Sequence, residues 1–190
     1  MGRPSVKEQL VGRTLGVWIE RGFEGASVND LVAAAGVPKG SFYNHFSSKE
    51  RFAVEHVNRY VPTLALESLA DAPGPFVDAV REHFARLVAL RRDGRMEFGC
   101  LLGTFSNSAT EAYPDLREAV RTSFGQWIDV LTAVLVRARD AGELSTDRAP
   151  ADVAAALVDG FEGAVARSRA TGALDPLDVF LAVTLEELTR

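Results

Sequence analysis

The apolar residues of this chain recur three or four positions apart, which is the spacing of helices that bury one face. One such stripe consists of Phe76, Val80, His83, Leu87 and Leu90. No stretch alternates convincingly between apolar and polar residues in the manner of a β-strand. The pattern therefore predicts an all-α fold.

Capping residues and helix breakers divide this pattern into nine predicted helices. Ser5, Ser27 and Ser47 are each followed three residues later by an acidic residue, as in a capping box that starts a helix. Gly36 should end the second helix, and Pro62 should kink the fourth at a cost of about 3 kcal/mol. The predicted helices cover residues 5–21, 27–36, 38–46, 47–69, 76–90, 100–108, 116–138, 151–170 and 176–189.

The composition limits the class of protein. With 190 residues, 47% of them apolar, the chain can bury the core of one or two domains. Its single cysteine excludes a disulfide framework and a cysteine-based zinc finger, and it fits a reducing cytoplasm. We expect no membrane-spanning helix, because no apolar run approaches the required length of about 18 residues. We also expect no signal peptide.

The charge is distributed unevenly along the chain. Residues 1–60 carry 8 Lys and Arg against 6 Asp and Glu, whereas the remaining residues carry 13 against 20. Two excess positive charges are too few for a general attraction to polyanions, so any contact with nucleic acid must depend on where individual side chains lie. The acidic remainder would be repelled by phosphate. This asymmetry predicts two different tasks along one chain.

The segment from Ser27 to Phe46 contains two short predicted helices separated by Gly36 and Val37. These are the proportions of a helix-turn-helix, whose second helix can enter the major groove of DNA. Phe42 and Phe46, four residues apart, can anchor one side of the second helix in the core. The other side would then present polar groups.

The polar residues of this segment suit two kinds of contact with DNA. The candidate donors to phosphate oxygens are Ser27, Tyr43, His45 and Lys49. The candidates for base edges, where Asn can pair with adenine and Lys with guanine, are Lys39, Ser41 and Asn44. Gly40 has no side chain where the helix could approach the duplex closely. On pattern alone, a solvated helical hairpin explains the same residues equally well.

A close resemblance to the DNA-binding signature of the TetR family of bacterial transcriptional regulators lies in the run GFEGASVNDLVAAAGVPKGSFYNHFSSKERF. Its landmarks are Gly22-Phe23, Ser27-Val28, Ala35-Gly36-Val37, Lys39-Gly40-Ser41, Tyr43, His45-Phe46 and Ser48-Lys49-Glu50. The close match covers roughly residues 8–52. The positions that commonly contact DNA in this family are those of Ser27, Lys39, Ser41, Tyr43, His45 and Lys49. The position of Asn44 varies with the operator.

The resemblance implies a nine-helix architecture in two domains. Residues 1–46 would form a three-helix, helix-turn-helix DNA-binding domain, and residues 47–190 a helical ligand-binding and dimerisation domain. It further implies a cytoplasmic homodimer that binds a palindromic operator in double-stranded DNA and blocks transcription. A small-molecule effector would release the protein from this operator.

The two C-terminal helices are the predicted dimer interface. Small residues would let helix axes approach closely on the eighth helix, at Ala151, Ala154, Ala155, Gly160, Gly163 and Ala164. Larger apolar residues follow on the ninth helix, at Val179, Phe180, Val183 and Leu188. The two helices could therefore form a four-helix interface between subunits. Packing within one chain is the alternative.

Apolar and aromatic residues with few polar companions predict a pocket for an apolar or mixed small molecule. The ligand-binding candidates are His83, Leu87, Cys100, Phe105, Phe124, Trp127 and Phe161, together with Phe76, Val80, Phe84, Phe98 and Leu101. Each could equally be an ordinary core residue. Cys100 lies at a predicted helix start, where the helix dipole could raise its reactivity, or it is a buried small hydrophobe.

No catalytic, metal-binding or cofactor-binding motif accompanies these features. His56 and His83 lack metal-ligand spacing, and the sequence has neither a glycine-rich phosphate loop nor a nucleophile motif around Cys100. We therefore predict no enzymatic activity, no metal and no cofactor. A helical interaction module that has lost DNA binding is the other alternative. The intact DNA-contact positions Lys39, Tyr43, His45 and Lys49 argue against it.

Overall fold

The computed structural model describes residues 5–93, 99–144 and 146–189, and all regular structure in these ranges is helical. The helices are α1 (Val6–Gly25), α2 (Val28–Ala35), α3 (Lys39–Tyr43), α4 (Lys49–Tyr60), α5 (Leu66–Ala70), α6 (Phe76–Arg92), α7 (Leu101–Ser106), α8 (Pro114–Asp140), α9 (Pro150–Thr171), α10 (Asp175–Val179) and α11 (Glu186–Leu188). A 3₁₀ turn (Val61–Leu64) separates α4 from α5, and a π-helical segment (Phe180–Leu185) joins α10 to α11. If 49–70 and 175–188 each count as one helix, the described residues form the nine predicted helices.

The predicted caps account for the start of α1 and for both ends of α2, whereas α1 continues past the predicted end near Gly22 to Gly25. The Ser5 hydroxyl accepts a hydrogen bond from the Glu8 amide at 3.2 Å. Ser27 and Asp30 form the complete capping box at the start of α2. Gly36 ends α2 with φ 69°, in the left-handed region that glycine adopts without steric cost. These local interactions place the turn of the predicted helix-turn-helix.

The start of α4 differs from the prediction. Ser48, not Ser47, is the N-cap, because the Ser48 hydroxyl accepts from the Arg51 amide at 3.1 Å. The capping box predicted for Ser47 and Glu50 is therefore wrong. The Glu50 carboxylate instead accepts from two backbone amides in the first turn of α8, at 2.9 and 3.1 Å. Glu50 thus caps a helix that is distant in sequence.

The predicted interruption at Pro62 is confirmed. α4 ends at Tyr60, and Pro62 lies in the 3₁₀ turn that follows. Ala65 then adopts a left-handed conformation, with φ 54°, before α5 begins. Proline cannot donate the backbone hydrogen bond that a continuous helix would need at this position, so the segment is divided.

Helix contacts divide the described chain into two compact units. The first contains the residues up to 63 together with 100–123, and the second contains 64–99 and 124–189, so α8 contributes to both. The predicted division of function between residues 46 and 47 stays a prediction, because these units describe packing alone. In the described ranges, no helix has both the length and the apolar character needed to cross a membrane.

Each unit has an aromatic core of its own. In the first unit, the fully buried Trp18 stacks on Phe23 with ring centroids 6.0 Å apart and meets the edge of Phe105 at 5.4 Å. In the second, Trp127 is fully buried and packs against Phe161 at 5.8 Å. Close-packed aromatic rings of this size contribute much of the burial that stabilises each unit.

Candidate nucleic-acid interface and effector cavity

α3 buries one side and exposes the other, as predicted for a recognition helix. Phe42 is completely buried, with its ring 5.3 Å from that of Phe52, and Phe46 is buried just beyond the helix. Tyr43 is 55% exposed although it is a large aromatic residue. The other predicted contacts on this side are exposed at Lys39, Gly40, Asn44 and His45 and half-buried at Ser41. The hydrophilic side is therefore available to a duplex.

Gly40 is not required by packing inside the protein. Apart from its chain neighbours and its own helix backbone, a Cβ atom added there would meet no atom of the described residues within 4 Å. The bare backbone is exposed at the start of α3, where it permits close approach to a ligand. The predicted approach of Gly40 to DNA stays a prediction.

Ser27 lies at the start of α2, and its hydroxyl is already engaged. It donates to the Asp30 carboxylate at 2.6 Å and accepts from the Asp30 amide at 3.2 Å. Hydrogen bonds from Ser27, and the nearby Arg21 guanidinium at 2.7 Å, lower the pKa of Asp30. To donate to a phosphate, the Ser27 hydroxyl would have to leave this carboxylate.

Lys49 makes contacts that the sequence did not predict. Its ammonium donates to the backbone oxygens of Phe23 and Ala26, at 2.8 and 3.2 Å, and lies 4.4 Å from the centre of the Phe23 ring. Partial burial lowers the pKa of this lysine. Because an ammonium has three N–H donors, one donor remains for a phosphate. Lys49 therefore joins α4 to the end of α1 in addition to its predicted role.

Arg13 is a supporting residue whose role the sequence did not predict. Its guanidinium donates to the carbonyl oxygen of Ala35 at 3.2 Å. Ala35 is the last residue of α2, where unpaired carbonyls and the helix dipole favour a positive charge. No local spacing connects the two positions, so only the packing of α1 against α2 could identify this contact.

The structure separates the predicted ligand-binding residues between the two units. The second unit contains five of them, which are His83, Leu87, Phe124, Trp127 and Phe161. The first unit contains Cys100 and Phe105. Cys100 is buried, and its sulfur accepts a hydrogen bond from the Tyr60 hydroxyl at 3.3 Å. Phe98 lies outside the described residues.

His83 is buried and held in one tautomer. The Trp127 indole N–H donates to His83 Nε2 at 2.9 Å, and because an indole nitrogen only donates, Nε2 carries no proton. Burial, with a smaller contribution from the charge of Arg86, lowers the pKa of His83 to about 3. The neutral ring therefore carries its proton on Nδ1.

A cleft of about 330 Å³ lies beside this histidine in the second unit. Its lining consists of Ala65, Ser68, Leu69, Ala72, Pro73, Ala79, Glu82, His83 and Arg86. Arg86 also donates to the backbone oxygen of Leu64, which follows the Pro62 turn. The cleft combines apolar walls with donors, so it can hold a mixed small molecule.

The small residues of α9 do not all face outward. Ala154 and Ala164 are buried within the subunit, as is Phe180, so these parts of the predicted interface set belong to the core. A Cβ atom at Gly160 would lie 3.2 Å from the Thr184 side chain, which shows that this glycine serves packing inside the chain. The exposed residues of the predicted dimer interface are Ala151, Gly163, Val179 and Val183, and Ala155 is half-buried.

A short helix with a buried aromatic anchor and an exposed polar side, placed after the Gly36 turn, is typical of the helix-turn-helix class of DNA-binding proteins. A family model described as "Bacterial regulatory proteins, tetR family" matches residues 10–55. A second model, "Tetracyclin repressor-like, C-terminal domain", matches residues 77–184. The chain belongs to the TetR family of DNA-binding transcriptional regulators.

Individual relatives agree with this assignment. The HTH-type transcriptional repressor DhaR of Mycobacterium sp. (strain GP1) is 35% identical, over 99% of this chain and 94% of its own length. The transcriptional regulator AcuR of Cereibacter sphaeroides is 30% identical, over 85% of this chain and 75% of its own. A TetR regulatory protein from Rhodobacter sphaeroides superposes with a TM-score of 0.87 at 26% identity, over 97% and 99% of the two chains. The crystal structure of the reduced form of Escherichia coli NemR superposes with a TM-score of 0.83 at 25% sequence identity, over 96% of this chain and 95% of its own.

Proposed function

We propose that this protein is a repressor that binds a palindromic operator as a homodimer and leaves it when a small molecule binds. The observation that carries the proposal is the exposed polar side of α3 on its buried anchor, Phe42. Relatives from Mycobacterium and E. coli are named transcriptional repressors, which supports repression here. Regulators of this family act by binding DNA rather than by catalysis, and we propose that this one acts in the cytoplasm, where bacterial DNA lies.

Each subunit would insert α3 into a major groove. Lys39, Ser41 and Asn44 would read base edges, while Tyr43 and His45 would donate to phosphates. The remaining donors of the proposed interface are Ser27, at the start of α2, and the third N–H of Lys49. Two subunits related by a twofold axis would read half-sites about 34–36 Å apart.

The proposed dimer interface combines the exposed faces of α9 and of the segment from α10 onward. Val179 and Val183 are 49% and 54% exposed, which is unusual for large apolar residues one helical turn apart. Gly163 and Ala151 on α9 are exposed and small, so a partner helix can approach closely. Covering this apolar strip would remove it from water in both subunits.

The double variant Val179→Glu/Val183→Glu is expected to be monomeric under conditions where the wild type is a dimer. Placing charges in an apolar contact should raise the dissociation constant of the dimer at least about tenfold, because the charges would lose water without gaining partners. Sedimentation velocity measures this constant. Ala133→Glu, at an exposed position on α8, is the matched control. A dimer of unchanged strength in the double variant would place the interface elsewhere.

The proposed effector site is the cleft beside His83. The Nδ1–H of His83 and the guanidinium of Arg86 would bind acceptor atoms, and the neighbouring apolar residues would hold the rest of the molecule. The Trp127 and Phe84 rings pack against the histidine, and Phe161 packs in turn against Trp127. The effector would therefore be a mixed small molecule.

Two chain connections would relay effector binding to the recognition helix. Arg86 donates to Leu64, which follows α4 through the Pro62 turn, and α4 begins at Lys49. α8 carries Trp127, the partner of His83, and Glu50 of α4 holds the first turn of α8. To shift the protein from a mostly DNA-binding conformation to a mostly non-binding one, the effector would have to bind the second conformation more tightly than the first by about 5.5 kcal/mol.

An electrophoretic mobility shift with the DNA that flanks the gene for this protein tests the proposal. The wild type should bind a fragment containing an inverted repeat, with typical specific affinity of about 10⁻⁸ M or tighter. Pools of metabolites can then be added to the protein–DNA complex. A pool that releases the DNA contains the effector. Failure to bind any flanking fragment more tightly than unrelated DNA would contradict the proposed operator.

A further inference from the structure

A second cavity, of about 300 Å³, lies in the second unit where α6 and α9 end and α10 begins. It shares no lining residue with the cleft beside His83. Its apolar walls are Val165, Leu174 and Leu177. The charged side chains among its described lining residues are two arginines, Arg91 and Arg169, and none of these described residues is Asp or Glu. The described lining therefore combines apolar side chains with two positively charged ones.

Arg91 is the unusual member of this lining because it is a charged residue that is only 6% exposed. Its Nη1 donates to the backbone oxygen of Leu87 at 2.8 Å, and its guanidinium lies 4.8 Å from the centre of the Phe161 ring. Its Nε is buried and has no hydrogen-bond partner in the described part of the chain. Nor does Arg91 form an ion pair with any described carboxylate.

Among the described residues, this arrangement leaves a buried cation without an anionic partner. Arginine remains protonated in proteins and carries five N–H donors, of which Leu87 accepts one. Burying a charge is costly unless it is paired and hydrogen-bonded, and the Phe161 ring offers only the weaker attraction of a π face. A planar carboxylate would satisfy the fork of the guanidinium with two parallel hydrogen bonds.

We propose that this cavity binds a small carboxylate with an aliphatic tail, whose carboxylate pairs with Arg91. The aliphatic walls fit the tail, and the single buried guanidinium fits one carboxylate better than a phosphate, which offers more oxygens than these walls can satisfy. Arg169 lines the cavity as a second positive charge. This site is distinct from the proposed effector cleft and does not depend on operator binding.

Sodium hexanoate is the probe, with 1-hexanol and hexylamine as analogues of the same chain length. Thermal unfolding of the full-length protein, followed by circular dichroism, and isothermal titration calorimetry measure binding. Hexanoate should raise the Tm of the wild type, whereas the alcohol and the amine should not. Arg91→Met, which keeps an unbranched apolar stem but removes the guanidinium and its charge, should weaken hexanoate binding at least about tenfold. The Tm of this variant without ligand should be unchanged or higher, because it lacks a buried charge that has no carboxylate partner among the described residues.

Arg92→Met is the matched control, because Arg92 is exposed and forms an ion pair with Asp178 instead of lining the cavity. It should bind hexanoate as the wild type does. An equal response of the wild type and Arg91→Met would overturn the proposal, as would stabilisation by hexanol equal to that by hexanoate, or no binding of hexanoate by the wild type. Stabilisation by inorganic phosphate in place of hexanoate would overturn the assignment to carboxylates. If Arg91→Met does not fold, the comparison of hexanoate with hexanol on the wild type decides the question.

Discussion

Lowering the pH from 7 to 5 should destabilise the wild-type protein by about 4 kcal/mol more than the double variant His56→Gln/His83→Gln. Both histidines are almost completely buried. Burial lowers the pKa of His56 to about 4 and, with a contribution from Arg86, that of His83 to about 3, from an ordinary value of 6.5. Each histidine would account for about 2 kcal/mol of the difference.

Stability falls with decreasing pH because both pKa values are lower in the folded protein than in the unfolded chain. Between pH 6.5 and the folded-state values, the unfolded chain binds a proton on each histidine and the folded protein does not. The contribution of the neutral rings to stability is therefore complete above pH 6.5 and is lost as the pH falls through this range. Above pH 5, few carboxylates bind protons, so the histidines dominate the change.

Urea unfolding at the two pH values, followed by far-ultraviolet circular dichroism, measures this difference. Glutamine can accept from Trp127 in place of His83 Nε2 and can bond to Thr14, which lies 2.9 Å from His56 Nε2, but it does not titrate. His45→Gln is the control, because His45 is exposed. Equal losses of stability in the wild type and the double variant would show that the buried histidines do not govern this range.

Lys39→Ala should weaken operator binding by about 1–3 kcal/mol, which corresponds to about 5- to 150-fold in the dissociation constant. Lys39 is exposed at the start of α3, so its removal should leave the fold unchanged. If it reads guanine, the loss should be largest for the natural operator and smaller for operators altered at one base pair. Mobility shifts on the natural and altered operators, with Tm as the check of folding, measure both effects.

Lys49→Ala should differ from Lys39→Ala in how the loss of DNA binding depends on the DNA sequence. It should weaken binding to all DNA sequences alike, since a phosphate contact carries no base information. It should also lower the Tm, because the ammonium joins the end of α1 to α4 through the oxygens of Phe23 and Ala26. Arg121→Ala, an exposed residue of the first unit, controls for loss of positive charge. A sequence-dependent loss in Lys49→Ala, or a uniform loss in Lys39→Ala, would contradict this division of roles.

Several helix ends were predictable from caps that lie next to their helix in sequence, although the N-cap of α4 is Ser48 and not the predicted Ser47. Ser27, Asp30 and Gly36 set the limits of α2 through contacts a few residues long, and Pro62 interrupts its helix by its own chemistry. Glu50 was misassigned because its partners lie 65 residues away, at the start of α8. The same reason applies to Arg13, whose partner Ala35 is 22 residues distant.

The candidate sites divide in a similar way. Phe42 and Phe46 indicated which side of α3 is buried, and the exposed polar side followed from helical periodicity. Periodicity also placed His83 on an apolar stripe, but it could not show that Trp127 donates to it. Gly160 and Gly163 are alike in sequence, yet one packs against the side chains of Thr184 and Phe180 and the other is exposed.

The sequence by itself determined the helical class, the helix-turn-helix and its polar recognition side, because these depend on spacing and caps within a few residues. Only the tertiary structure decided which polar groups meet across the fold, including the neutral tautomer of His83 and the burial of Arg91 without a described carboxylate. The physical reason is that burial and pairing depend on helices far apart in the chain, and a buried charge or ring acquires its chemistry from those neighbours.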